Sequence, residues 1–173
     1  SGKAVYAALN RERYDVTMYD PRDDLEILMK KRADIDFAFI LLHGKFGEDG
    51  RVQGMLDVLG IPFVGSGVLA SAMAMNKRIA KDVFRGVGLR VAGDVILKRE
   101  EKLSVKRLIA KLGSQVVIKP VSEGSSIGIS IAHGREEILE GIKEAFQFDG
   151  EVMVEEYLDG REITCCVLGN QFL

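Results

Sequence analysis

The chain has 173 residues, enough for one sizeable hydrophobic core or two small domains, and its 47% apolar and 29% charged residues are typical of a soluble globular protein. A formal net charge of −2 gives no electrostatic basis for a nucleic-acid partner, and the longest apolar run, residues 37–42, is too short to span a membrane. The two cysteines, Cys165 and Cys166, are adjacent and cannot form a disulfide framework, so we expect a cytoplasmic protein without a membrane partner.

The first half of the chain alternates helical and strand-like patterns. It opens on a helical stretch with no strand before it, and apolar residues recur at helical spacing from Leu25. Short apolar runs at residues 16–19, 37–42 and 62–64 predict strands. Such alternation predicts α/β architecture with a parallel sheet and crossover helices. Because a parallel sheet normally begins with a strand, the sequence also predicts that the first strand of this unit is missing.

The second half has a different pattern. A long helical stretch over residues 67–88 precedes it, and we place a domain boundary near residue 75, which gives domains 1–75 and 76–173. Two predicted strands flank a glycine loop and should form a hairpin, so we expect α+β structure with antiparallel pairing. The predicted elements are strands at about 94–97, 115–119, 128–132, 151–156 and 161–168, and helices at about 104–112 and 134–147.

The glycine loop is the most informative stretch of the sequence. Pro120 biases Lys119 towards extended geometry, so the strand should end with the lysine ammonium at its edge. The loop that follows contains Glu123, Gly124, Ser125, Ser126 and Gly128. Backbone N–H groups, hydroxyls and a positioned lysine suit a phosphate chain, although a plain hairpin with a glycine bulge fits the loop equally well. A Walker-type loop is excluded, because G-x-x-x-x-G-K-[ST] does not occur.

A second glycine pattern, at residues 65–70, matches the dinucleotide motif G-x-G-x-x-G/A after a predicted strand. The nearest downstream acid that could hold a ribose, Asp94, begins a strand rather than ending one. Counting the missing first strand, the pattern also follows the fourth strand of its half rather than the first. Nicotinamide binding by an oxidoreductase is therefore the less favoured alternative.

The loop over residues 42–50 follows the most apolar strand of the first half. Ligands of parallel sheets bind at the carboxyl ends of strands, where this loop lies, and His43 could donate to a carboxylate or phosphate. The alternative is a turn-rich connection whose Glu48 and Asp49 complement the dipole of the next helix. Three glycines with one histidine exceed what a turn requires, which favours a functional loop.

The segment over residues 154–162 begins at the end of a buried strand. A linker there can recognise adenine through backbone groups, while a carboxylate such as Glu155 accepts from the exocyclic amine and Glu162 binds ribose hydroxyls. The alternative is a charged hairpin, which spacing alone favours. No metal cluster has credible ligand spacing, and no serine, histidine and aspartate arrangement stands out.

Taken together, these segments resemble the D-alanine–D-alanine ligases of the ATP-grasp superfamily. Order and spacing agree across essentially the whole chain, which displaces the dinucleotide interpretation of residues 65–70. The matches are His43-Gly44-x-x-Gly47-Glu48-Asp49-Gly50-x-x-Gln53-Gly54, Gly65-Ser66-Gly67 with Lys77 ten residues later, Lys119-Pro120 leading to Glu123-Gly124-Ser125-Ser126-x-Gly128, and Glu155-x-x-Leu158-x-Gly160-x-Glu162-x-Thr164. The resemblance implies a partial Rossmann-like pre-ATP-grasp domain followed by the first, α+β half of an ATP-grasp domain.

The resemblance also implies a reaction and its site residues. ATP would phosphorylate one D-alanine, and the amine of a second would attack the acyl phosphate to give D-alanyl-D-alanine for peptidoglycan. Ser125 is similar to the family's catalytic-site serine, and His43 matches the histidine near the substrate carboxylate and the transferred phosphoryl group. The implied phosphate contacts are Lys77 and Lys119, with Glu123, Gly124 and Ser126 of the glycine loop, which would form a flap over the phosphates. The implied adenine contacts are Glu155 and the linker residues Glu156, Tyr157 and Leu158. Glu162 is the implied ribose contact.

Several features of the family pattern are not found. Asn76 stands where an aspartate often precedes the lysine. The family's first strand and its Gly/Ser/Glu loop are expected before Ser1, and its Mg²⁺ (or Mn²⁺) carboxylates after Leu173, so we expect a chain truncated at both ends and inactive alone. A non-catalytic nucleotide-binding fragment, or a ligase with a D-lactate or D-serine acceptor, stays open as an alternative. The expected partners are D-alanine and ATP, and the family favours a homodimer.

Overall fold

The computed structural model describes residues 2–101, 104–167 and 169. Within them lie seven α-helices, a short 3₁₀ helix at Arg32–Asp34, and four strands. None of the described helices is long and apolar enough to cross a membrane. The helices are α1 (Gly2–Ala8), α2 (Leu25–Lys30), α3 (Arg51–Leu59), α4 (Val68–Met75), α5 (Lys77–Gly86), α6 (Val105–Leu112) and α7 (Gly134–Ala145); the strands are β1 (Asp94–Lys98), β2 (Gln115–Pro120), β3 (Ser130–His133) and β4 (Glu151–Glu156).

The four strands form one antiparallel sheet in the second half, in the order β1-β4-β2-β3. The predicted hairpin around the glycine loop is confirmed, because β2 pairs with β3 along its length. The register of β4 is the important one for the site. Glu155 lies opposite Asp94 of β1 on one side and opposite Val117 of β2 on the other.

The hydrophobic core covers one face of this sheet. Val116, Ile118 and Val154 are fully buried there and pack with apolar residues of α6 and α7. Because successive side chains of a strand point to opposite faces, Lys119 and Glu155 lie on the face away from this core. The sheet therefore buries apolar side chains on one face and carries the charged candidate residues on the other.

Helix α7 packs very closely on the sheet. A methyl group added at Gly141 would lie 2.6 Å from Ser130 Oγ and 2.8 Å from Ile118 Cδ1. The hydroxyl of Ser130 is buried there, and no hydrogen-bond partner for it exists among the described residues. Glycine in a helix costs about 1 kcal/mol relative to alanine, and this contact explains why a glycine is used.

The first half forms fewer strands than its apolar runs predict. Residues 16–19 and 37–42 form no strand, and among the described residues of this half the pairing consists of one parallel bridge between Ala38 and Phe63. The Ala38 N–H donates to the Pro62 carbonyl at 2.8 Å, in the parallel sense predicted. A ladder needs a hydrogen-bonded neighbour along its length, which an apolar run does not supply. The strand predicted at 161–168 is also wrong over residues 161–167, and Leu168 lies outside the described residues.

The long helix predicted over residues 67–88 is two helices, broken at Asn76. Asn76 has extended backbone angles (φ −85°, ψ 102°), and its side chain accepts from the N–H of Ile79 at 3.0 Å, which caps α5. The N–H of Lys77 donates to the carbonyl of Val121 at 3.0 Å. The break therefore places Lys77 at the first turn of a helix that abuts the start of the glycine loop.

Candidate functional site

The site begins at the end of β2, where Lys119 forms an ion pair with Glu155 Oε2 of the neighbouring strand. Both side chains lie on the sheet face away from the core, since Lys119 is two residues beyond Val117, the direct partner of Glu155. The Lys119 side chain is 21% exposed and that of Glu155 is 11% exposed. The predicted phosphate lysine and the predicted adenine carboxylate are thus in direct contact.

A buried lysine from α5 holds the other oxygen of the same carboxylate. Lys81 Nζ lies 2.6 Å from Glu155 Oε1 and 2.8 Å from Asp94 Oδ1, and it donates to the Ala92 carbonyl at 2.7 Å. Arg85 forms a further ion pair with Asp94. Burial alone would raise the pKa of the Asp94 carboxyl, but the hydrogen bonds and charges of Lys81 and Arg85 outweigh it and bring that pKa below its ordinary value.

Sequence reasoning missed Lys81. A lysine on a helix is ordinarily exposed, and nothing local distinguishes this one from the exposed Arg78 of the same helix. The available signal is the sheet register, because Asp94 and Glu155 stand directly opposite each other and two adjacent carboxylates need a cation between them. That register is visible only in the folded chain.

Lys77 contacts the start of the glycine loop. Its ammonium donates to the carbonyls of Pro120, at 2.9 Å, and of Glu123, with Val121 O at 3.5 Å. Burial lowers the pKa of Lys77, and the nearby charge of Lys119 lowers it further. The two predicted phosphate lysines are therefore close enough to repel each other, and Lys77 uses its hydrogen bonds on main-chain oxygens of the loop.

The tip of the glycine loop has an unusual backbone. Ser125 (φ 53°) and Ser126 (φ 63°) are consecutive non-glycine residues in the left-handed region, and both are exposed. Each costs roughly 1 kcal/mol there. Gly128 (φ 67°) ends the tip, and a methyl group on it would lie 2.7 Å from Phe148 Cδ2 and 2.9 Å from Pro120 Cγ. Outliers of this kind concentrate at ligand-binding segments, which supports the functional interpretation of the loop over a plain hairpin.

The glycine loop packs against the loop that carries His43. A methyl group at Gly124 would lie 3.0 Å from Gly44 Cα, so the two main chains are in close contact. Lys45 forms an ion pair with Glu123 across the same junction. The structure therefore brings the predicted flap residues beside the first-half loop, although the two segments are about 80 residues apart in the chain.

The exposed side chain of His43 lines a cleft of about 490 Å³ on this side of the molecule. A cleft of this size can hold a small polar substrate. The other residues that line it are Asp20, Pro21, Arg22, Leu42, Lys45, Phe46 and Gly47.

The two acidic residues of the His43 loop, Glu48 and Asp49, have structural roles. Glu48 accepts from the N–H of Gly44 at 2.6 Å. Asp49 accepts from the N–H of Phe46 at 2.8 Å and from the N–H of Arg51 at 3.2 Å, so it also serves the first turn of α3. The turn-rich alternative therefore accounts for Glu48 and Asp49.

The predicted adenine linker starts at the end of β4. The carboxylate of Glu156 accepts from the N–H of Gly93 at 2.7 Å, and the N–H of Glu156 donates to the Gly93 carbonyl at 3.0 Å. The N–H of Tyr157 donates to the Gln115 carbonyl at 3.3 Å. These bonds fix the course of the chain immediately after Glu155.

The remaining predicted contacts are not brought into the cluster. Leu158 is 66% exposed and Glu162 is also exposed, on a segment without helix or strand. In the part of the chain that the structure describes, no hydrogen bond or ion pair joins either residue to the other predicted site residues. Across the described part of the chain, no group of three or more His, Cys, Asp or Glu side chains could hold a metal ion.

Comparisons with known proteins match the whole chain. The family described as "D-ala D-ala ligase C-terminus" matches residues 83–173, and "D-ala D-ala ligase N-terminus" matches residues 21–66. The D-alanine–D-alanine ligase of Desulfotalea psychrophila is 50% identical over 98% of this chain and 53% of that protein. The chain spans about half the length of the curated relatives it matches.

Solved structures agree with the sequence matches. The D-alanine–D-alanine ligase of Bacillus anthracis complexed with ATP superimposes with a TM-score of 0.80 at 36% identity, over 92% of this chain and 53% of that one. VanG D-Ala:D-Ser ligase of Enterococcus faecalis superimposes with a TM-score of 0.66 at 41% identity, over 72% of this chain and 37% of that one. The predicted fold class, α/β with an ATP-grasp unit, is confirmed by these neighbours. The chain belongs to the D-alanine–D-alanine ligase family.

Proposed function

We propose that the protein ligates two D-alanines to D-alanyl-D-alanine with ATP, and that this chain contributes the nucleotide site. The observation that carries the proposal is the cluster at the end of β2. Two lysine ammonium groups converge there beside a strained glycine loop, with the carboxylate of Glu155 adjacent. The ATP complex of the Bacillus anthracis relative supports the choice of nucleotide.

The phosphate end is assigned to Lys119, Lys77 and the flap. Lys119 would exchange Glu155 for a phosphate oxygen, and Lys77 would add a second positive charge beside it. The flap contacts are assigned to Glu123, Gly124 and Ser126 in the loop that these lysines border.

The base end is assigned to Glu155. Once Lys119 turns to the phosphates, Glu155 Oε2 can accept from the exocyclic amine of adenine. The linker residues Glu156, Tyr157 and Leu158 would pass alongside the base, and Glu162 would contact the ribose. Because Glu162 lies outside the cluster, its role requires the segment after β4 to fold over the nucleotide.

The chemistry is a phosphoryl transfer followed by an acyl transfer. A carboxylate oxygen of the first D-alanine attacks the γ-phosphorus and ADP leaves; the amine of the second D-alanine then attacks the acyl carbon, and inorganic phosphate leaves as the peptide bond forms and the amine loses a proton. His43 is assigned to the substrate carboxylate and the transferred group. Ser125, at the loop tip, is assigned to the network that orients the substrates.

The described residues do not fit a divalent cation. The carboxylate of Glu123 in the glycine loop and that of Glu155, the proposed adenine contact, are already paired with lysines. On this proposal the expected Mg²⁺ (or Mn²⁺) ligands lie elsewhere in the full-length protein. The family resemblance further supports a homodimer, which light scattering would test, and a cytoplasmic location, where ATP is available.

The test is dipeptide formation by the full-length protein. With D-alanine and ATP we expect ADP, phosphate and D-alanyl-D-alanine in equal amounts by mass spectrometry, and no dipeptide from L-alanine. We expect the 173-residue chain alone to give none. Nucleotide binding without product in the full-length protein would favour the non-catalytic alternative, and failure to bind ATP would overturn the proposal.

A second acceptor is a specific alternative. The 41% identity to a D-Ala:D-Ser ligase keeps a D-serine acceptor under consideration, and D-lactate is the related case. Competition among D-alanine, D-serine and D-lactate as acceptors, with the product masses compared, separates these activities.

A further inference from the structure

We propose that Lys81 positions the Glu155 carboxylate and thereby sets the preference of the site for a 6-aminopurine. The inference rests on the proposed function, because it concerns how the same nucleotide site recognises its base. Lys81 would not touch the nucleotide; it would act through Glu155.

The geometry of Lys81 leaves it no freedom. Its ammonium has three hydrogens, and three acceptors surround it: Glu155 Oε1 at 2.6 Å, Asp94 Oδ1 at 2.8 Å and the Ala92 carbonyl at 2.7 Å. The side chain is 7% exposed. A buried ammonium with every donor used is held in place, because leaving a carboxylate would break a buried ion pair and leaving the Ala92 carbonyl would leave a buried donor unpaired.

The two oxygens of Glu155 therefore have different partners. Oε1 is held by the buried Lys81, whereas Oε2 is paired with Lys119, whose side chain is 21% exposed. Lys119 is the partner that can leave for a phosphate, and Lys81 is the partner that stays. After the exchange, Lys81 still holds Oε1 and keeps the carboxylate oriented, while the strand register keeps it on this face of the sheet.

A fixed carboxylate discriminates between purines by hydrogen-bond polarity. It has only acceptors, so it favours the 6-amino group of ATP and opposes the 6-oxo group of ITP. Without Lys81 the carboxylate can rotate away. Losing that orientation weakens a charge-assisted hydrogen bond that the 6-amino group can make and the 6-oxo group cannot.

The test compares ATP and ITP as substrates of the full-length protein. For Lys81→Met we expect the kcat/KM ratio of ATP to ITP to fall about tenfold or more, mainly through the KM for ATP, with kcat at saturating ATP within about threefold. The matched control is Arg78→Met on the same helix, whose side chain is 46% exposed and lies 3.6 Å from Glu151. That variant should keep the wild-type ratio.

A double-mutant cycle shows whether Lys81 acts through Glu155. In a Glu155→Gln background, Lys81→Met should change the ratio no further; an additional loss would overturn the proposal. Thermal melting checks that each variant is folded. If Lys81→Met does not fold, the double variant Lys81→Met/Asp94→Asn replaces it, because it also removes one of the two carboxylate charges that Lys81 had balanced.

The outcomes separate this inference from the proposed function. Equal losses with ATP and ITP would mean that Lys81 is merely structural and would overturn the inference. A wild-type protein that uses both nucleotides equally would overturn it too, while leaving the ligase activity standing. A protein that forms dipeptide with neither nucleotide would overturn both.

Discussion

Replacing Lys119 with methionine removes both its ion pair with Glu155 and its proposed phosphate contact, and the two losses can be measured separately. In the variant, Glu155 keeps Lys81 at 2.6 Å, so no buried carboxylate is left alone. The loss to the fold is then that of a partly exposed pair, about 0.2–1 kcal/mol. At roughly 2–4 °C per kcal/mol for a domain of this size, the melting temperature should fall by no more than about 4 °C.

The loss to nucleotide binding should be larger. A hydrogen bond to a charged group contributes about 1.5–3 kcal/mol. The wild-type protein gives up its Lys119–Glu155 pair to make that contact, whereas the variant has no pair to give up. Subtracting about 0.5 kcal/mol for the pair leaves about 1–2.5 kcal/mol, or a 5- to 70-fold rise in the KM for ATP.

The assay is steady-state kinetics of the full-length protein with ATP varied at saturating D-alanine. Lys98→Met is the matched control, since Lys98 belongs to the same sheet, has a 64% exposed side chain and lies 3.9 Å from Glu151. We expect unchanged kinetics for it. A KM for ATP within twofold of wild type in Lys119→Met would refute the exchange of Glu155 for phosphate.

Three further changes have distinct expected outcomes. Ser125→Ala should lower kcat while leaving the KM for ATP nearly unchanged, and loss of ATP affinity alone would contradict a role in orienting the substrates. Ser130→Ala removes a buried hydroxyl that has no partner among the described residues, so the free energy of unfolding should rise by about 1 kcal/mol in a denaturant titration; a decrease would reveal a hidden partner. Because burial lowers the pKa of Lys77 and a bound phosphate favours its charged form, ATP affinity should fall as pH rises through that pKa, below the ordinary lysine value of about 10.4; a pH-independent affinity up to that value would contradict the phosphate contact.

The second half of the fold, up to residue 156, could be predicted well because its signals are local. β-branched residues before Lys119 and the glycines after it predict a strand, a loop and a hairpin, and the register confirms them. The strand predictions of the first half fail for a different reason. Residues 37–42 are apolar enough for a strand, but a ladder depends on a neighbour, and only Ala38 has one in the described region.

At Asn76 a tertiary contact overrides the local helical pattern of the sequence. Asparagine is a good N-cap, but the residues on both sides continue a helical pattern, so the sequence predicts one helix. The N–H of Lys77 bonds to the Val121 carbonyl, 44 residues away in the chain. This tertiary contact fixes the break, and no short window of sequence contains it.

The charged cluster shows why residue types could be assigned from sequence but their partners could not. Two lysines that must meet a polyanion would repel each other without it, so each needs a second set of partners. Lys119 has Glu155, and Lys77 has the carbonyls of Pro120 and Glu123. Nucleotide affinity is then the difference between two sets of contacts rather than the strength of one. Because the carboxylate that Lys119 would release is also the one proposed to receive the adenine amine, binding at the phosphate end and at the base end would each favour the other.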